Sequence, residues 1–275
     1  MTLYLVATPI GNLSDITLRA VETLRTCDYI LCENTTHSQV LLNHFEIRKP
    51  LKSYHKFNEA SREQELLADL KAGKSIALIS DAGTPAIADP GERIVQAAVE
   101  QNLLVISIPG PCAAITALTC SGLATKQFQF VGFLPKKAVE LETKLIECLH
   151  YPATTLCYES PRRIMDVLIL LNTLAPTRAL CIARELTKRF EEVVRGTPQL
   201  LIDHWKDKEI KGEIVLLISP PRETELQQEW ASMTLLEHVA RLQQDFGLTP
   251  QDAIKMVAQL RGLPKREVYK EVKGF

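Results

Sequence analysis

The chain has 275 residues, 46% of them hydrophobic and 24% charged, which is enough for two modest domains with an appendage and excludes an intrinsically disordered chain. Its 32 Lys and Arg against 33 Asp and Glu leave a net charge of −1, so any RNA-binding surface has to come from local clustering of charge. Seven cysteines without C-x-x-C spacing read as reduced thiols of a cytoplasmic protein, and no apolar run approaches the roughly 20 residues that cross a bilayer.

From the amino terminus, residues 3–8, 29–33, 75–80 and 103–108 are short runs rich in Ile, Val and Leu that end at turn or polar residues, the pattern of buried parallel strands. Between them, residues 16–25, 61–70 and 92–101 carry apolar side chains at helical spacing, which predicts an α/β layered domain over residues 1–132. An exposed connection with Pro135, Lys136 and Lys137 leads into a second α/β unit over residues 133–220. Its expected strands are 154–158, 179–184, 191–195 and 213–219, with helices over 161–174 and 198–205. Residues 219–222, Ser-Pro-Pro-Arg, read as a linker. The last stretch, within 221–275, is helical throughout: 235–246, then Thr249-Pro250 as cap and first helical residue of 251–260, then a basic finish. From Gly247 onward it holds six Lys or Arg against three Asp or Glu, consistent with a small helix-turn-helix-like module or with a packing tail.

Ligands of open α/β sheets bind beyond the carboxyl ends of the strands, so the loops there come first. Three of them carry Thr8-Pro9-Ile10-Gly11-Asn12, Asp81-Ala82-Gly83-Thr84-Pro85-Ala86-Ile87-Ala88-Asp89-Pro90-Gly91 and Pro109-Gly110-Pro111-Cys112-Ala113. The glycines let backbone approach a ligand and the prolines stiffen the turns. None matches G-x-G-x-x-G or a phosphate loop and none holds a basic residue, so an uncharged or cationic small molecule suits them better than a triphosphate. The six histidines show no metal-ligand spacing, and no metal is expected.

The segments V-A-T-P-I-G-N-L-S-D-I-T-L-R-A, S-D-A-G-T-P-A-I-A-D-P-G, P-G-P-C-A-A, F-x-G-F-L-P, Y-E-S-P-R-R and R-E-L-T-K-R-F-E-E, in this order, resemble the ribosomal RNA ribose 2′-O-methyltransferase I family of the tetrapyrrole-methylase superfamily. The resemblance implies a two-domain tetrapyrrole-methylase-like (class III methyltransferase) α/β fold, with S-adenosylmethionine in the cleft and a homodimer as the assembly. It implies cofactor contacts from Ile10, Gly11, Ala82, Gly83, Thr84, Ile87, Cys112 and Ala113, and from Tyr158 and Glu159 on the other side. The implied reaction is methylation of the ribose 2′-hydroxyl of a cytidine in the decoding region of 16S rRNA, within the small ribosomal subunit. Where the family pattern reads E-D-T-R this chain has Glu33-Asn34-Thr35-Thr36; where it reads P-G-P-S-A it has Cys112; Ala86 and Ala88 also depart from it.

Methyl transfer from a sulfonium is an in-line displacement governed mainly by positioning, and a carboxylate near the acceptor hydroxyl assists the attack. Glu33, at the end of the second expected strand, is the first candidate base and Asp81 the second. Phosphate contacts are expected from Lys136, Lys137, Arg162, Arg163, Lys188 and Arg189, whose clustered charge would make binding salt-dependent. The alternatives are a methyltransferase acting on a tetrapyrrole or other small molecule, and, in another class, a non-catalytic nucleic-acid-binding protein built on the terminal helices.

Overall fold

In the computed structural model the described residues are 1–221, 233–246 and 248–273. They fall into two compact units, Met1–Pro220 and Pro221–Phe275. Arg222 of the expected linker lies outside the described residues.

The first half of the larger unit is a fully parallel sheet of β1 (Thr2–Val6), β2 (Tyr29–Cys32), β3 (Leu51–Ser53), β4 (Ser75–Leu78) and β5 (Val105–Ile108), in the order β3-β2-β4-β1-β5. Successive side chains point to opposite faces, and both faces of the central strands are covered, which is why Tyr29–Cys32 and residues 76–78 are apolar without alternation. Ile30, Cys32 and Ala77 pack with Ala20, Leu24 and Leu42 of α1 (Leu18–Thr26) and α2 (Thr35–His44). Tyr29, Leu31, Ile76 and Leu78 pack with Leu66, Leu70, Ile94 and Ala98 of α3 (Glu59–Lys71) and α4 (Glu92–Glu100).

Helix α5 (Ala113–Ser121) follows, and then a mixed sheet of β6 (Phe128–Phe133), β7 (Thr154–Glu159), β8 (Leu180–Arg184), β9 (Glu192–Gly196) and β10 (Ile214–Ile218), in the order β6-β7-β10-β8-β9. Only β6 and β7 run parallel; the other pairs are antiparallel. One face carries Cys157, Leu216 and Ile218 against α6 (Ala138–His150), α7 (Ile164–Leu174) and α8 (Pro198–Trp205). The other face carries Leu156, Ala183, Val215 and Leu217 against Ala114, Ala117 and Leu118 of α5 and against Ile10. Helix α5 therefore follows the first sheet in sequence but packs on the second, where Ile10 of the loop after β1 joins the same core.

The second sheet begins at Phe128, inside the span that the sequence reading gives to the first domain, because β6 pairs with β7. The sequence reading also passes over α2, β3, α5 and α6, and starts α7 at Pro161. Residues 161–163 form a turn in which Arg163 and Ile164 donate their N–H groups to Ser160 O at 3.1 Å, so the helix proper begins at Ile164.

In the smaller unit α9 (Leu235–Phe246), α10 (Pro250–Arg261) and α11 (Lys265–Lys273) close their own core of Leu235, Val239, Leu242, Ala253, Ile254, Val257 and Val268. Thr249 caps α10 by accepting from the Asp252 N–H, with Pro250 in the first turn as expected. No helix among the described residues is long and apolar enough to cross a membrane.

Candidate active site

Strand order explains why three loops meet. Because β1 lies between β4 and β5, the segments leaving those strands at their carboxyl ends stand side by side. They are also bonded to one another. Thr8 N–H donates to Gly83 O at 2.8 Å and Gly83 N–H donates to Thr8 O at 3.0 Å, while the Thr84 hydroxyl donates to Pro111 O at 2.9 Å. Gly83 sits at φ +79°, where a Cβ would also stand 3.2 Å from Ile10 Cγ2. At Gly110 the demand is close approach, since a Cβ would meet the Ala7 Cβ at 2.8 Å.

Between these loops and the second sheet lies a cavity of about 340 Å³. Ile10, Asp81, Ala82, Gly83, Thr84, Ile87, Cys112 and Ala113 line it from the first half, and Tyr158 and Glu159 from the end of β7. Two residues named from the sequence stand elsewhere. Gly11 is off the wall and packs under the Lys188 side chain, whose Cγ a Cβ at Gly11 would strike. Glu33 is half-buried at the end of β2 and also off the wall.

The wall holds residues that sequence reasoning missed, among them Asp89, Phe133, Ala183, Gly212 and Glu213. Asp89 lies inside a motif already singled out and its neighbourhood alone was hidden. Gly212 and Glu213 carry no local signal; they reach the cavity because β10 runs antiparallel to β7 and presents its first residues beside Glu159. Among the described residues the wall carries four carboxylates, Asp81, Asp89, Glu159 and Glu213, and no Lys, Arg or His. A cationic ligand suits that donor set and an anionic one does not.

Three of the four carboxylates are held by donors. Asp81 Oδ1 accepts the Asn34 N–H at 3.2 Å. Glu159 Oε1 accepts the Ser160 N–H at 2.6 Å and Oε2 lies 3.3 Å from Arg163 Nη2. Glu213 accepts from Lys188 Nζ at 3.0 Å. Burial, followed by the charges of Glu33, Asp81 and Glu213, pushes the Asp89 carboxyl up to about 6, with the Ser80 hydroxyl pulling the other way. Burial likewise raises the Tyr158 phenol, so it stays neutral, and its ring lies 4.8 Å from that of Phe130 and 5.5 Å from that of Phe133.

The cations expected to meet phosphate divide into two groups. Lys188 spans Glu185 at 2.9 Å and Glu213, Arg163 is tied to Glu159 and donates to Leu134 O at 3.2 Å, and Lys137 pairs with Glu140 at 2.8 Å. Lys136, Arg162 and Arg189 are exposed and enter no ion pair among the described residues. Arg162 directly follows Ser160 and Pro161 of the wall, which puts it at the rim.

Two departures from the family pattern have a local reading. Asn34 caps α2 by accepting from Thr36 N–H at 3.0 Å and His37 N–H at 3.1 Å, work an aspartate would do equally well. Cys112 occupies the cap position of α5 and its thiol accepts no helix N–H. Cys112→Ser is therefore expected to stabilise the protein by about 1 kcal/mol, read as an upward shift in the urea midpoint; an unchanged midpoint would mean the serine hydroxyl turns to the cavity instead.

Residues 2–201 match the family model described as Tetrapyrrole (Corrin/Porphyrin) Methylases. The chain is 45% identical to the Ribosomal RNA small subunit methyltransferase I of Halalkalibacterium halodurans, over 98% of this chain and 93% of that one. It is 46% identical to the protein of the same name from Synechocystis, over 97% of this chain and 95% of that one. Among solved structures it is similar in fold to a diphthine synthase, with a TM-score of 0.63 at 16% identity over 80% of this chain and 90% of that one. It also resembles the uroporphyrin-III-C-methyltransferase of Thermus thermophilus, with a TM-score of 0.53 at 17% identity over 79% of this chain and 94% of that one.

Proposed function

Because this chain belongs to the tetrapyrrole methylase family and is a methyltransferase, we propose that it uses S-adenosylmethionine to methylate the ribose 2′-hydroxyl of a cytidine in the decoding region of 16S rRNA. The observation that carries the rRNA reading is the extent of the likeness. Relatives named for a small-subunit rRNA methyltransferase align with this chain over 97–98% of its length, the carboxyl-terminal unit included.

The cavity supports the cofactor. Its apolar and backbone-rich floor at Ile10, Ala82, Gly83, Thr84, Ile87, Cys112 and Ala113 suits a nucleoside, and its carboxylates and the Tyr158 ring suit the positive charge of a sulfonium. When bound, that group supplies a methyl carbon already activated toward attack. The protein's part is to orient the acceptor hydroxyl, to exclude water between the two halves and to accept a proton. Lys136, Arg162 and Arg189 are the exposed cations proposed to hold rRNA phosphates, while Lys137, Arg163 and Lys188 would act through the loops they brace. A homodimer working in the cytoplasm completes the reading.

The test is to incubate the protein with labelled S-adenosylmethionine and small ribosomal subunits from cells that lack the modification, then to map the label by nuclease digestion and mass spectrometry. One methyl on a cytidine 2′-oxygen is expected. Label on a base would end the ribose assignment, and no label despite tight cofactor binding would point to a small-molecule acceptor.

A further inference from the structure

Two phenylalanines beside the cavity are left open to solvent, Phe133 at 63% and Phe190 at 67% exposure. A lone surface aromatic is ordinary, but each of these is held in place and each has an exposed cation close by in the chain. Phe133 follows a bulge in β6. Phe130 pairs with Leu156 and Phe133 with Tyr158, so three steps on one strand match two on the other, with Gly132 left-handed at φ 69°. Residues three apart on a regular strand face opposite sides; the extra residue turns both rings onto Tyr158, at 4.8 and 5.5 Å, and sets Phe133 on the cavity wall. The exposed Lys136 follows.

Phe190 stands on the turn between β8 and β9, which is braced from within. Lys188 N–H donates to Glu185 O at 3.0 Å and Glu191 N–H to Lys188 O at 3.1 Å, while Lys188 Nζ reaches Glu185 at 2.9 Å and the wall residue Glu213 at 3.0 Å. The Glu191 carboxylate accepts the Thr187 N–H, and the exposed Arg189 lays its guanidinium carbon 5.5 Å from the centre of the Phe190 ring. Both rings leave the second sheet at one edge, because β7 runs parallel to β6 and β10 runs antiparallel to both β7 and β8. The ends of β6 and β8 stand three strand spacings apart, about 14 Å, with Glu159, Gly212 and Glu213 of the cavity wall between them. The two aromatics therefore flank the mouth.

We propose that Phe133 and Phe190 are stacking platforms that hold unpaired nucleobases of the RNA on either side of the cavity mouth, a role that rests on the rRNA reading given above. Every base offers a flat π-face, and a ring already fixed by its neighbours takes that face with little further ordering. Lys136, Arg162 and Arg189 meet the phosphates beside the rings, so the strand is gripped by base and backbone together and the ribose between the platforms is held over the cavity. The acids nearest this path do not stand bare: Glu159 lies against Arg163, and Glu185 and Glu213 against Lys188, which lowers their repulsion of the strand.

The experiment uses the full chain, labelled S-adenosylmethionine and unmodified small ribosomal subunits. Phe190→Ala is expected to raise KM for the subunits about 30-fold, with cofactor affinity measured by calorimetry within about threefold of wild type. Phe190→Trp should bind at least as well as wild type, whereas Phe190→Leu, which stays apolar and loses the π-face, should remain about tenfold weaker or worse. Stacking releases no counterions, so the loss in Phe190→Ala should be the same at low and high salt, while Arg189→Ala should flatten the salt dependence. Phe133→Ala, Phe133→Leu and Phe133→Trp should follow the same order. Ile169→Ala, an exposed position on α7 across the sheet, should leave KM unchanged.

A wild-type KM in Phe190→Ala would overturn the proposal. So would a Phe190→Leu protein as good as wild type, since that ring would then be making an apolar contact with a ribosomal protein, and so would a change of oligomeric state in Phe190→Ala, since the ring would then be covered by a second copy of this chain. At Phe133 a loss of rate explained wholly by lost cofactor affinity would overturn the assignment for that ring, whose part would be to hold Tyr158. Should Phe133→Ala fail to fold, the Phe190 series decides. Wild-type protein that transfers no methyl to the subunit defeats the rRNA reading and the proposal together, whereas active wild type with an unchanged KM in both alanine variants defeats the proposal alone.

Discussion

Arg163→Met is expected to destabilise the larger unit by about 3 kcal/mol, although Arg163 stands in an arginine pair that the sequence marks for RNA. Its side chain is only 26% exposed and lies 3.3 Å from Glu159, whose own side chain is 1% exposed. The guanidinium also donates to the carbonyls of Leu134 and Pro135, which fastens the end of β6 and the following connection to the start of α7. Methionine keeps the apolar stem and removes the charge and the donors, leaving a buried carboxylate without its cation and two carbonyls without a partner. Breaking one side of a buried pair costs about 3–5 kcal/mol, and the low end applies because Arg163 retains some contact with water. Arg162 next to it is exposed, so Arg162→Met should change stability by less than about 0.5 kcal/mol and weaken subunit binding instead. Urea unfolding of both variants checks this. If Arg163→Met lost less than about 1 kcal/mol, the ion pair would not be the brace described; if Glu159→Gln/Arg163→Met recovered a good part of the loss, it would be.

The contrast between those two arginines shows where sequence reading stops. Local chemistry was readable: the strand-end loops follow apolar runs, and Gly83 and Gly110 stand where a side chain would collide. The helix expected over 198–205 forms, and Thr249-Pro250 starts a helix as cap and first-turn residue as expected. Helix α2 escaped because it has no apolar stripe to read, burying only Ser38 and Leu42, and α5 because its apolar residues fall all round the helix and trace no single stripe, although only one side is buried on the second sheet. Strand β3 is three residues long and too short to show a period. The commitments of Arg163 and Lys188 to internal carboxylates are long-range facts of register, and so is the arrival of Glu213 at the cavity. Asp89 was in plain view within its motif. What could not be seen was that burial and the charges of Glu33, Asp81 and Glu213 would act on it, while Glu159 and Glu213 would each meet a cation.

The second large effect is expected at Tyr158, through its ring and not its hydroxyl. Tyr158 is the β7 residue whose side chain turns toward α5 and the cavity, while Cys157 before it turns toward α7. The edge-to-face contacts with Phe130 and Phe133 hold the ring in place, so its face is presented without further ordering when a ligand enters. A desolvated cation over such a face gains about 2 kcal/mol, which is roughly 30-fold in affinity. Tyr158→Ala is therefore expected to weaken S-adenosylmethionine binding about 30-fold. Because burial keeps the phenol protonated and hence uncharged at neutral pH, Tyr158→Phe should bind within about threefold of wild type. Calorimetry with the cofactor and with its uncharged demethylated product separates the contributions. If the sulfonium charge is what the ring recognises, Tyr158→Ala should cost the cofactor far more than the product. Equal losses for both would mean that Tyr158 serves only as an apolar wall, and the preference of the cavity for a cation would then rest on its carboxylates alone.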